Sequence, residues 1–251
     1  MKAVGVIPAR YASTRFPGKM LAPVAGKPLV RWVVERVQLA ERLDEVMLAT
    51  DDQRIADAAT DWGVKVVMTR NDHPSGTDRM AEAAKHIDAD VLVNIQGDEP
   101  LIEPELIDGL VECIVGASGY DMATAAVPIH LERELFDPSV VKVVMGDDHR
   151  ALYFSRAPIP HFRDQSVFDA LKCELHFRHL GIYAYTKSFL ERYVAASPAP
   201  LEHAEKLEQL RALHIGGRMK VVIAEAMGPG IDEPEDVAKA EAAMREAGII
   251  S

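Results

Sequence analysis

A short basic segment near the N-terminus carries the side chains best suited to bind phosphate. Arg10, Ser13, Arg15 and Lys19 directly follow the apolar run 4–7, which predicts a buried strand. Guanidinium groups supply paired donors and an ammonium supplies a compact charge, and phosphate oxygens accept from both. The segment lacks the glycine spacing of a dinucleotide fold and the Gly-Lys-Ser/Thr ending of a P-loop. An ordinary basic surface loop is the alternative, but three cations straight after a strand favour phosphate binding.

Two acidic turns are candidates for holding a metal ion. Asp98 lies in the segment 96–100, straight after the mostly apolar run 91–95, and Asp232 lies in the turn 228–236 before the last predicted helix. One or two carboxylates combined with phosphate oxygens are the ligands that Mg²⁺ prefers. The alternative is that these residues only cap the following helices, and for Asp232 the spacing alone favours capping.

Three further segments carry polar groups with an open choice between function and structure. Ser75-Gly76-Thr77-Asp78-Arg79 opens a predicted helix, where small residues permit the close approach of a flat base and Ser75 or Thr77 can also serve as an N-cap. Arg156, and the run from Arg178 to Tyr183, place an arginine, a histidine and a tyrosine near predicted strand ends. Acidic residues form a stripe on a predicted helix, Leu201–His214, where a solvated face is the default interpretation.

The elements that position these residues predict an α/β protein with a doubly wound, mostly parallel sheet. In the first half, apolar runs alternate with amphipathic stretches. The predicted strands are Ala3–Ile7, Val46–Ala49, Lys65–Met68 and Val91–Ile95, and the predicted helices are Pro28–Leu43, Asp52–Trp62, Thr77–His86 and Glu103–Val115. Ligands of such sheets bind beyond the carboxyl ends of the strands, where the candidate residues of this half lie.

The second half departs from this alternation and predicts mixed or antiparallel strands. These are Met122–Ile129, Val140–Met145, Ala151–Phe154 and Gly181–Ala184, with Lys220–Ala224 and a helix Pro234–Ala247 at the end. The charged stretch from about His161 to Arg178 is open to three interpretations: a loop, a short helix or a dimer arm. We therefore expect a single domain, 1–251, with an inserted lobe at roughly 130–180.

Composition excludes several classes of partner. The net charge of −11 over 251 residues argues against nucleic acid or an anionic membrane, since both require a basic face. The start MKAVGVIPAR is too short for a signal peptide, and no apolar stretch is long enough to span a bilayer. Cys113 and Cys173 have no metal or redox spacing and are expected to be buried or inert. A cytoplasmic location is expected.

With these residues in place, the chain resembles the 3-deoxy-manno-octulosonate (KDO) cytidylyltransferases. The resemblance covers nearly the whole length and rests on ordered strings. These are IPARYASTRFPGK, ATDD, SGTDRMAE, NIQGDEP, VVKVV, ALYFSRAPIP, RHLGIYAY, LEHAEKLEQLR and the turn from Gly230 to Asp236. The resemblance implies a nucleotide-diphospho-sugar-transferase-like fold with a small mixed-strand dimerisation lobe, a homodimer, and a Mg²⁺-dependent transfer of CMP from CTP to KDO. The product would be used for the lipopolysaccharide core.

The resemblance also implies roles for individual residues. The expected CTP-binding residues are Pro8, Ala9, Arg10, Ser13, Arg15, Lys19, Ser75, Gly76, Thr77 and Arg79. The expected sugar-acid-binding residues are Gln96, Arg156, His179, Tyr183, Glu208 and Gln209. Asp98 and Asp232 are the expected metal ligands, and Arg15, Lys19 and Asp98 the expected catalytic residues. Either Arg156 or His179 is expected to hold the sugar carboxylate.

Other functions remain open to the sequence. A cytidylyltransferase for a sialic-acid-like or amino-substituted 2-keto acid would use the same phosphate loop. A glycosyltransferase on a similar sheet would not release pyrophosphate from CTP. A nucleotide-binding regulatory protein would bind without turnover, but binding alone does not require Lys19, Asp98 and Asp232 together.

Overall fold

The computed structural model describes residues 1–73, 75–116, 119–164, 166–226 and 228–250. It divides into two compact units, one formed by residues 1–112 with 227–251 and the other by residues 113–226. The expected lobe at 130–180 falls within the second unit. Within the described residues, no helix is both long and apolar enough to cross a membrane.

The first unit is built from alternating strands and helices. Its strands are β1 (Ala3–Ala9), the short hairpin β2 (Pro23–Val24) and β3 (Lys27–Pro28), β4 (Glu45–Thr50), β5 (Lys65–Met68) and β6 (Val91–Asn94). Its helices are α1 (Leu29–Val37), α2 (Gln53–Asp61), α3 (Gly76–Ala84) and most of α4 (Pro104–Val115). β1 pairs in parallel with β4 and β6, and β4 pairs in parallel with β5. This confirms the predicted α/β class and parallel sheet.

The second unit has a mixed sheet, as predicted. Its elements are β7 (Met122–Pro128), α5 (Glu132–Phe136), β8 (Lys142–Met145), β9 (Ala151–Ser155), α6 (Val167–Lys172), β10 (Phe177–Thr186), α7 (Lys187–Ala195), α8 (Pro200–Glu205), α9 (Gln209–His214) and β11 (Met219–Ile223). β10 is antiparallel to β7 and β8, β8 is antiparallel to β9, and β11 is parallel to β7. The final helix α10 (Asp236–Glu246) belongs to the first unit.

The helix predicted over Pro28–Leu43 is shorter in the structure, because its last residues return to the sheet. α1 ends at Val37, and the backbone N–H of Asp44 then donates to the carbonyl of Ala3 at 2.9 Å. A Cβ at Gly5 would lie only 2.8 Å from a methyl carbon of Leu43, so glycine leaves the space in which Leu43 packs on β1.

The single helix predicted over Leu201–His214 is wrong, because Lys206 interrupts it. Lys206 has left-handed backbone angles (φ 55°, ψ 47°), and separate helices lie on either side of it. The break leaves the carbonyl of Glu205 outside a helical hydrogen-bond ladder, where it accepts from Nε of Arg156 at 2.8 Å. The break therefore provides a carbonyl acceptor for Arg156, and the two helices do not form one continuous acidic face.

The stretch predicted as irregular from about His161 to Arg178 contains α6 and the start of β10. Gln165 lies outside the described residues. Both cysteines were expected to be buried or inert; Cys173 is exposed, so burial is wrong for it, and its thiol donates to the carbonyl of Asp169 at 3.4 Å. Cys113 is half-buried.

Candidate active site

A cavity of about 290 Å³ lies in the first unit at the carboxyl ends of β1 and β6. We call it the first-unit cavity. All predicted CTP-binding residues except Thr77 line it, and so do Gln96 and the two predicted metal ligands, Asp98 and Asp232. The sheet therefore brings together residues from four separate segments of the sequence, and their binding roles remain predictions.

The basic loop after β1 folds back on Tyr11. The Tyr11 carbonyl accepts hydrogen bonds from the backbone N–H groups of Ser13 and Gly18, both at 3.0 Å. Gly18 has φ +72°, and a Cβ there would lie 3.1 Å from the Tyr11 ring, so the turn requires glycine. This closure delivers Lys19, at the start of the 3-10 turn Lys19–Leu21, to the interior of the first unit.

Two cations and two carboxylates meet in the first-unit cavity. Nζ of Lys19 lies 2.6 Å from Oδ2 of Asp98 and 3.1 Å from Oδ1 of Asp232. Nη2 of Arg15 lies 3.1 Å from Oδ2 of Asp232. The Lys19 side chain is only 7% exposed, whereas that of Arg15 is 59% exposed. The buried ammonium is thus fixed between the carboxylates, and the guanidinium of Arg15 has room to move toward a ligand.

The backbone joins the two acidic turns to each other. The N–H of Ile231 donates to the carbonyl of Asp98 at 3.0 Å. The carboxylate of Asp236 accepts from the N–H groups of Asp232 and Glu233, at 3.2 and 3.1 Å. Asp236 therefore fixes the turn before α10; the N-cap of that helix is Glu235, which makes no side-chain cap hydrogen bond, so Asp232 is not its N-cap. The Asp232 carboxylate is left to face Lys19 and Arg15.

The wall at the start of α3 is partly structural. Ser75 is the N-cap, since its Oγ accepts from the N–H of Asp78 at 3.1 Å. Arg79 is buried, and its guanidinium donates to Oγ1 of Thr69 at 2.6 Å and lies 3.1 Å from the Asp51 carboxylate. Although Arg79 lines the cavity, its charge is already engaged within the protein, so it shapes the wall of the pocket.

Thr77 lies outside the first-unit cavity. Its side chain is buried, and its hydroxyl accepts a long hydrogen bond from the amide of Asn94 at 3.5 Å. The predicted direct contact of Thr77 with the nucleotide therefore has no support from its position. Its observed contact joins α3 to the end of β6.

Four cavity residues were not among the predicted site residues. They are Thr14, Met20, His73 and Gly97. His73 contacts the carboxylate of Glu82 through Nε2, and this hydrogen bond, together with that from the N–H of Arg70, holds the pKa of Glu82 below its usual value. The position of His73, two residues before Ser75, was the one signal that could have identified it.

Gly97 allows the turn after β6 to lie against the end of β1. A Cβ at this position would come within 3.0 Å of Sδ of Met20 and 3.3 Å of the Pro8 carbonyl oxygen. The close approach fixes Asp98 relative to the basic loop, because both flanking contacts belong to that loop or to β1.

In the second unit, three predicted sugar-binding side chains form a polar cluster with Thr124. We define the polar cluster as Thr124, His179, Tyr183 and Gln209. Nε2 of His179 lies 2.9 Å from the Thr124 hydroxyl, and Nδ1 lies 3.5 Å from the amide nitrogen of Gln209. The rings of His179 and Tyr183 are 5.5 Å apart. Glu208 is exposed and directly precedes Gln209.

The polar cluster is neutral. Desolvation lowers the pKa of His179 to about 3, and burial raises the pKa of the Tyr183 phenol above its usual value. The hydroxyl of Thr124 lies 2.8 Å from the Ile182 carbonyl, so it can donate there while it accepts Nε2–H of His179. At neutral pH the imidazole has no charge to offer a carboxylate. The expectation that Arg156 or His179 holds the sugar carboxylate stays a prediction.

Arg156 lies in a different network of the second unit. Its Nη1 donates to the Pro138 carbonyl at 2.8 Å, and its backbone N–H donates to the Glu205 carboxylate at 2.9 Å. The same carboxylate accepts from the Ser155 hydroxyl at 2.7 Å. Arg156 thus holds the segment before β8 and the break between α8 and α9 in place.

A buried lysine completes that network. Lys142 is fully buried, and its Nζ donates to the carbonyls of Asp137, Val140 and Arg156 at 3.0, 2.6 and 2.7 Å. Desolvation lowers the pKa of its ammonium. Three carbonyl acceptors satisfy its donors, so Lys142 acts as an internal tie between β8 and the end of β9.

Comparison with known proteins identifies the family. The chain matches the family model described as "Cytidylyltransferase" over residues 4–221. A 3-deoxy-manno-octulosonate cytidylyltransferase of Bdellovibrio bacteriovorus is 48% identical over 249 residues, covering 99% of this chain and 100% of the relative. Its counterpart in Trichlorobacter lovleyi is 46% identical, covering 98% of this chain and 100% of the relative. This chain belongs to the 3-deoxy-manno-octulosonate cytidylyltransferase family.

Solved structures agree with this family assignment. A CMP:2-keto-3-deoxy-manno-octonic acid synthetase complexed with CTP has a TM-score of 0.92 and 40% identity, and covers 98% of this chain and 100% of that one. A 4-diphosphocytidyl-2C-methyl-D-erythritol synthase of Anaerococcus prevotii shares only the fold, with a TM-score of 0.64 at 15% identity. The cytidylyltransferase family thus accounts for the predicted fold, and the chain is an enzyme of the nucleotidyltransferase type.

Proposed function

We propose that this protein transfers CMP from CTP to the anomeric 2-hydroxyl of KDO and releases pyrophosphate. The observation that carries the proposal is the convergence of Arg15, Lys19, Asp98 and Asp232 in the first-unit cavity of a chain that belongs to this family. The 2-hydroxyl oxygen attacks the α-phosphorus, the bond to the bridging oxygen breaks, pyrophosphate leaves, and the hydroxyl proton is lost to solvent.

The reaction is mainly a problem of positioning and charge. A triphosphate and a sugar carboxylate repel each other, and charge moves onto pyrophosphate as it leaves. We assign Arg10, Arg15 and Lys19 to the triphosphate, because cationic donors stabilise phosphate oxygens most strongly where water is excluded. Ser75 and Gly76, at the start of α3, are assigned to the cytosine side.

We propose that Asp98 and Asp232 hold Mg²⁺. Within the described residues, no group of three or more His, Cys, Asp or Glu side chains could hold a metal ion. A pair of carboxylates whose remaining ligands come from phosphate and water is the donor set that suits Mg²⁺. When bound, Mg²⁺ supplies positive charge to phosphate oxygens and lowers the pKa of a hydroxyl that it contacts.

We assign the sugar acid to Gln96, to the polar cluster and to Glu208. Neutral donors and acceptors such as Tyr183 and Gln209 suit sugar hydroxyls. The neutral state of His179 leaves Arg156 as the candidate for the sugar carboxylate. The carbonyls of Glu205, Pro138 and Lys206 occupy three of its five N–H groups.

We also propose a homodimer and a product used in the lipopolysaccharide core. The second unit exposes Leu131, Phe136, Leu152 and Leu175, each close to half exposed, as candidates for an interface between copies of the chain. Light scattering after size exclusion tests the dimer, and a mass of 27.6 kDa for a single chain would contradict it.

The deciding experiment measures pyrophosphate release from CTP and Mg²⁺ with KDO, its 8-amino analogue and N-acetylneuraminate offered separately. Release with KDO alone is expected. Release only with another acid would keep the proposals for the first-unit cavity and overturn those for the sugar. No release with any of the three acids would contradict the proposed function and favour a protein that binds nucleotide without turnover.

A further inference from the structure

Lys19 occupies the place between the two proposed metal ligands. Its ammonium contacts both carboxylates, at 2.6 Å and 3.1 Å, and its side chain is 7% exposed. Arg15 contacts only Asp232 and is largely exposed. Of these two cations, only Lys19 bridges the pair from a buried position.

A divalent cation cannot share these oxygens with an ammonium at hydrogen-bond distance without strong repulsion. The ammonium must therefore leave before Asp98 and Asp232 both bind a metal ion. Lys19 is tethered beside its partners, so it competes at a high effective concentration. A triphosphate bound at the basic loop would offer Lys19 another set of anionic oxygens.

We propose that Lys19 is a built-in counter-cation that keeps the Asp98–Asp232 pair closed to divalent cations until a nucleoside triphosphate draws its ammonium away. Metal and nucleotide then bind with positive coupling, and the free protein does not hold the metal by itself. This inference rests on the proposed function, since it takes the ligand to be a triphosphate and Asp98 and Asp232 to be the metal ligands.

The test compares two variants that remove the same charge. Mn²⁺ is titrated into the CTP-free full-length protein, and free Mn²⁺ is followed by electron paramagnetic resonance. We expect Lys19→Met to bind Mn²⁺ about tenfold more tightly than the wild type, within the usual range of coupling between sites. We expect Arg15→Met to change the affinity less than about threefold, as for an exposed ion pair. Lys27→Met, which loses a partner on Glu35, is the control and is expected to match the wild type.

An unchanged Mn²⁺ affinity in Lys19→Met would overturn the inference. Equal tightening in Lys19→Met and Arg15→Met would also overturn it, because long-range charge would then explain both. Lys19→Arg keeps a cation at this position and is expected to restore weak binding. Circular dichroism checks that each variant is folded.

A second measurement uses the wild-type protein, so it does not depend on any variant that fails to fold. The ¹⁵Nζ resonance of Lys19 is expected to stay unchanged with Mg²⁺ alone and to shift when CTP is added. Displacement of that resonance by Mg²⁺ alone would contradict the inference. Pyrophosphate release by the wild type tests the proposed function separately, so the two failures are distinguishable.

Discussion

The first-unit cavity and the second-unit polar cluster handle polar side chains in opposite ways. In the cavity, Lys19 and Arg15 are paired with the carboxylates of Asp98 and Asp232. In the polar cluster, desolvation keeps His179 neutral, and its ring nitrogens face Thr124 and Gln209. The comparison teaches that the cavity proposed for phosphate and metal groups oppositely charged side chains, whereas the cluster proposed for sugar hydroxyls uses neutral donors and acceptors.

The largest expected effect comes from removing a charge in the cavity. Asp98→Asn is expected to fold, and its turnover is expected to fall about a thousandfold. The neutral amide would no longer hold positive charge next to the reacting phosphate. Pyrophosphate release at saturating Mg²⁺ is the measurement. Asp61→Asn, the same change at an exposed position in α2, is the control and should behave as the wild type. Wild-type turnover in Asp98→Asn would contradict the proposed role of the charged groups of the first-unit cavity in the reaction.

The next effect is on stability and concerns Lys142, which the second unit buries. Lys142→Met strands three carbonyls, so we expect the free energy of unfolding to fall by about 3 kcal/mol. Urea unfolding followed by circular dichroism measures this loss. The matched change Lys187→Met, at the start of α7, should cost much less, since its side chain is not fully buried. A loss of unfolding free energy below about 0.5 kcal/mol in Lys142→Met would show that its three hydrogen bonds to carbonyls contribute little to stability.

A smaller effect is expected on CTP affinity when the exposed cation of the cavity, Arg15, is removed. Arg15→Ala is expected to weaken CTP binding about twentyfold and sugar binding much less, because one charge-assisted hydrogen bond to phosphate is lost. Calorimetry gives both dissociation constants. Arg42→Ala is the control, because Arg42 is also 59% exposed and paired with a carboxylate in the same unit. An unchanged CTP dissociation constant in Arg15→Ala would contradict the proposed role of the basic loop in binding the triphosphate.

The smallest effect tests the neutrality of the polar cluster. The pKa of His179 is about 3 in the folded protein, below the usual value of 6.5, so the unfolded chain binds more protons between these values. Stability therefore falls as the pH drops below 6.5, by about 1 kcal/mol per pH unit for this one group. Between pH 7.0 and 5.5, the free energy of unfolding should fall less in His179→Gln than in the wild type, by about this amount. Equal slopes in both proteins would contradict a neutral imidazole.

Much of the fold was predictable because local patterns of apolar and polar residues indicate its strands and helices. The first four long strands and the helices between them follow from apolar runs and helical spacing, and strand–helix alternation predicts parallel pairing. Helix ends were less predictable. The end of α1 depends on Leu43 packing on Gly5, and the break at Lys206 depends on Arg156, a residue 50 positions away in sequence.

Residue types and spacing by themselves determined the α/β class, and they predicted a phosphate-binding loop around Lys19 and the candidate carboxylates. Only the tertiary structure decided how these groups are used. It placed Lys19 between Asp98 and Asp232, turned the Asp236 carboxylate toward the N–H groups of Asp232 and Glu233, and turned Arg79 toward Asp51. The reason is physical: a side chain's charge state and partners depend on burial and on atoms distant in sequence, and no local pattern records them.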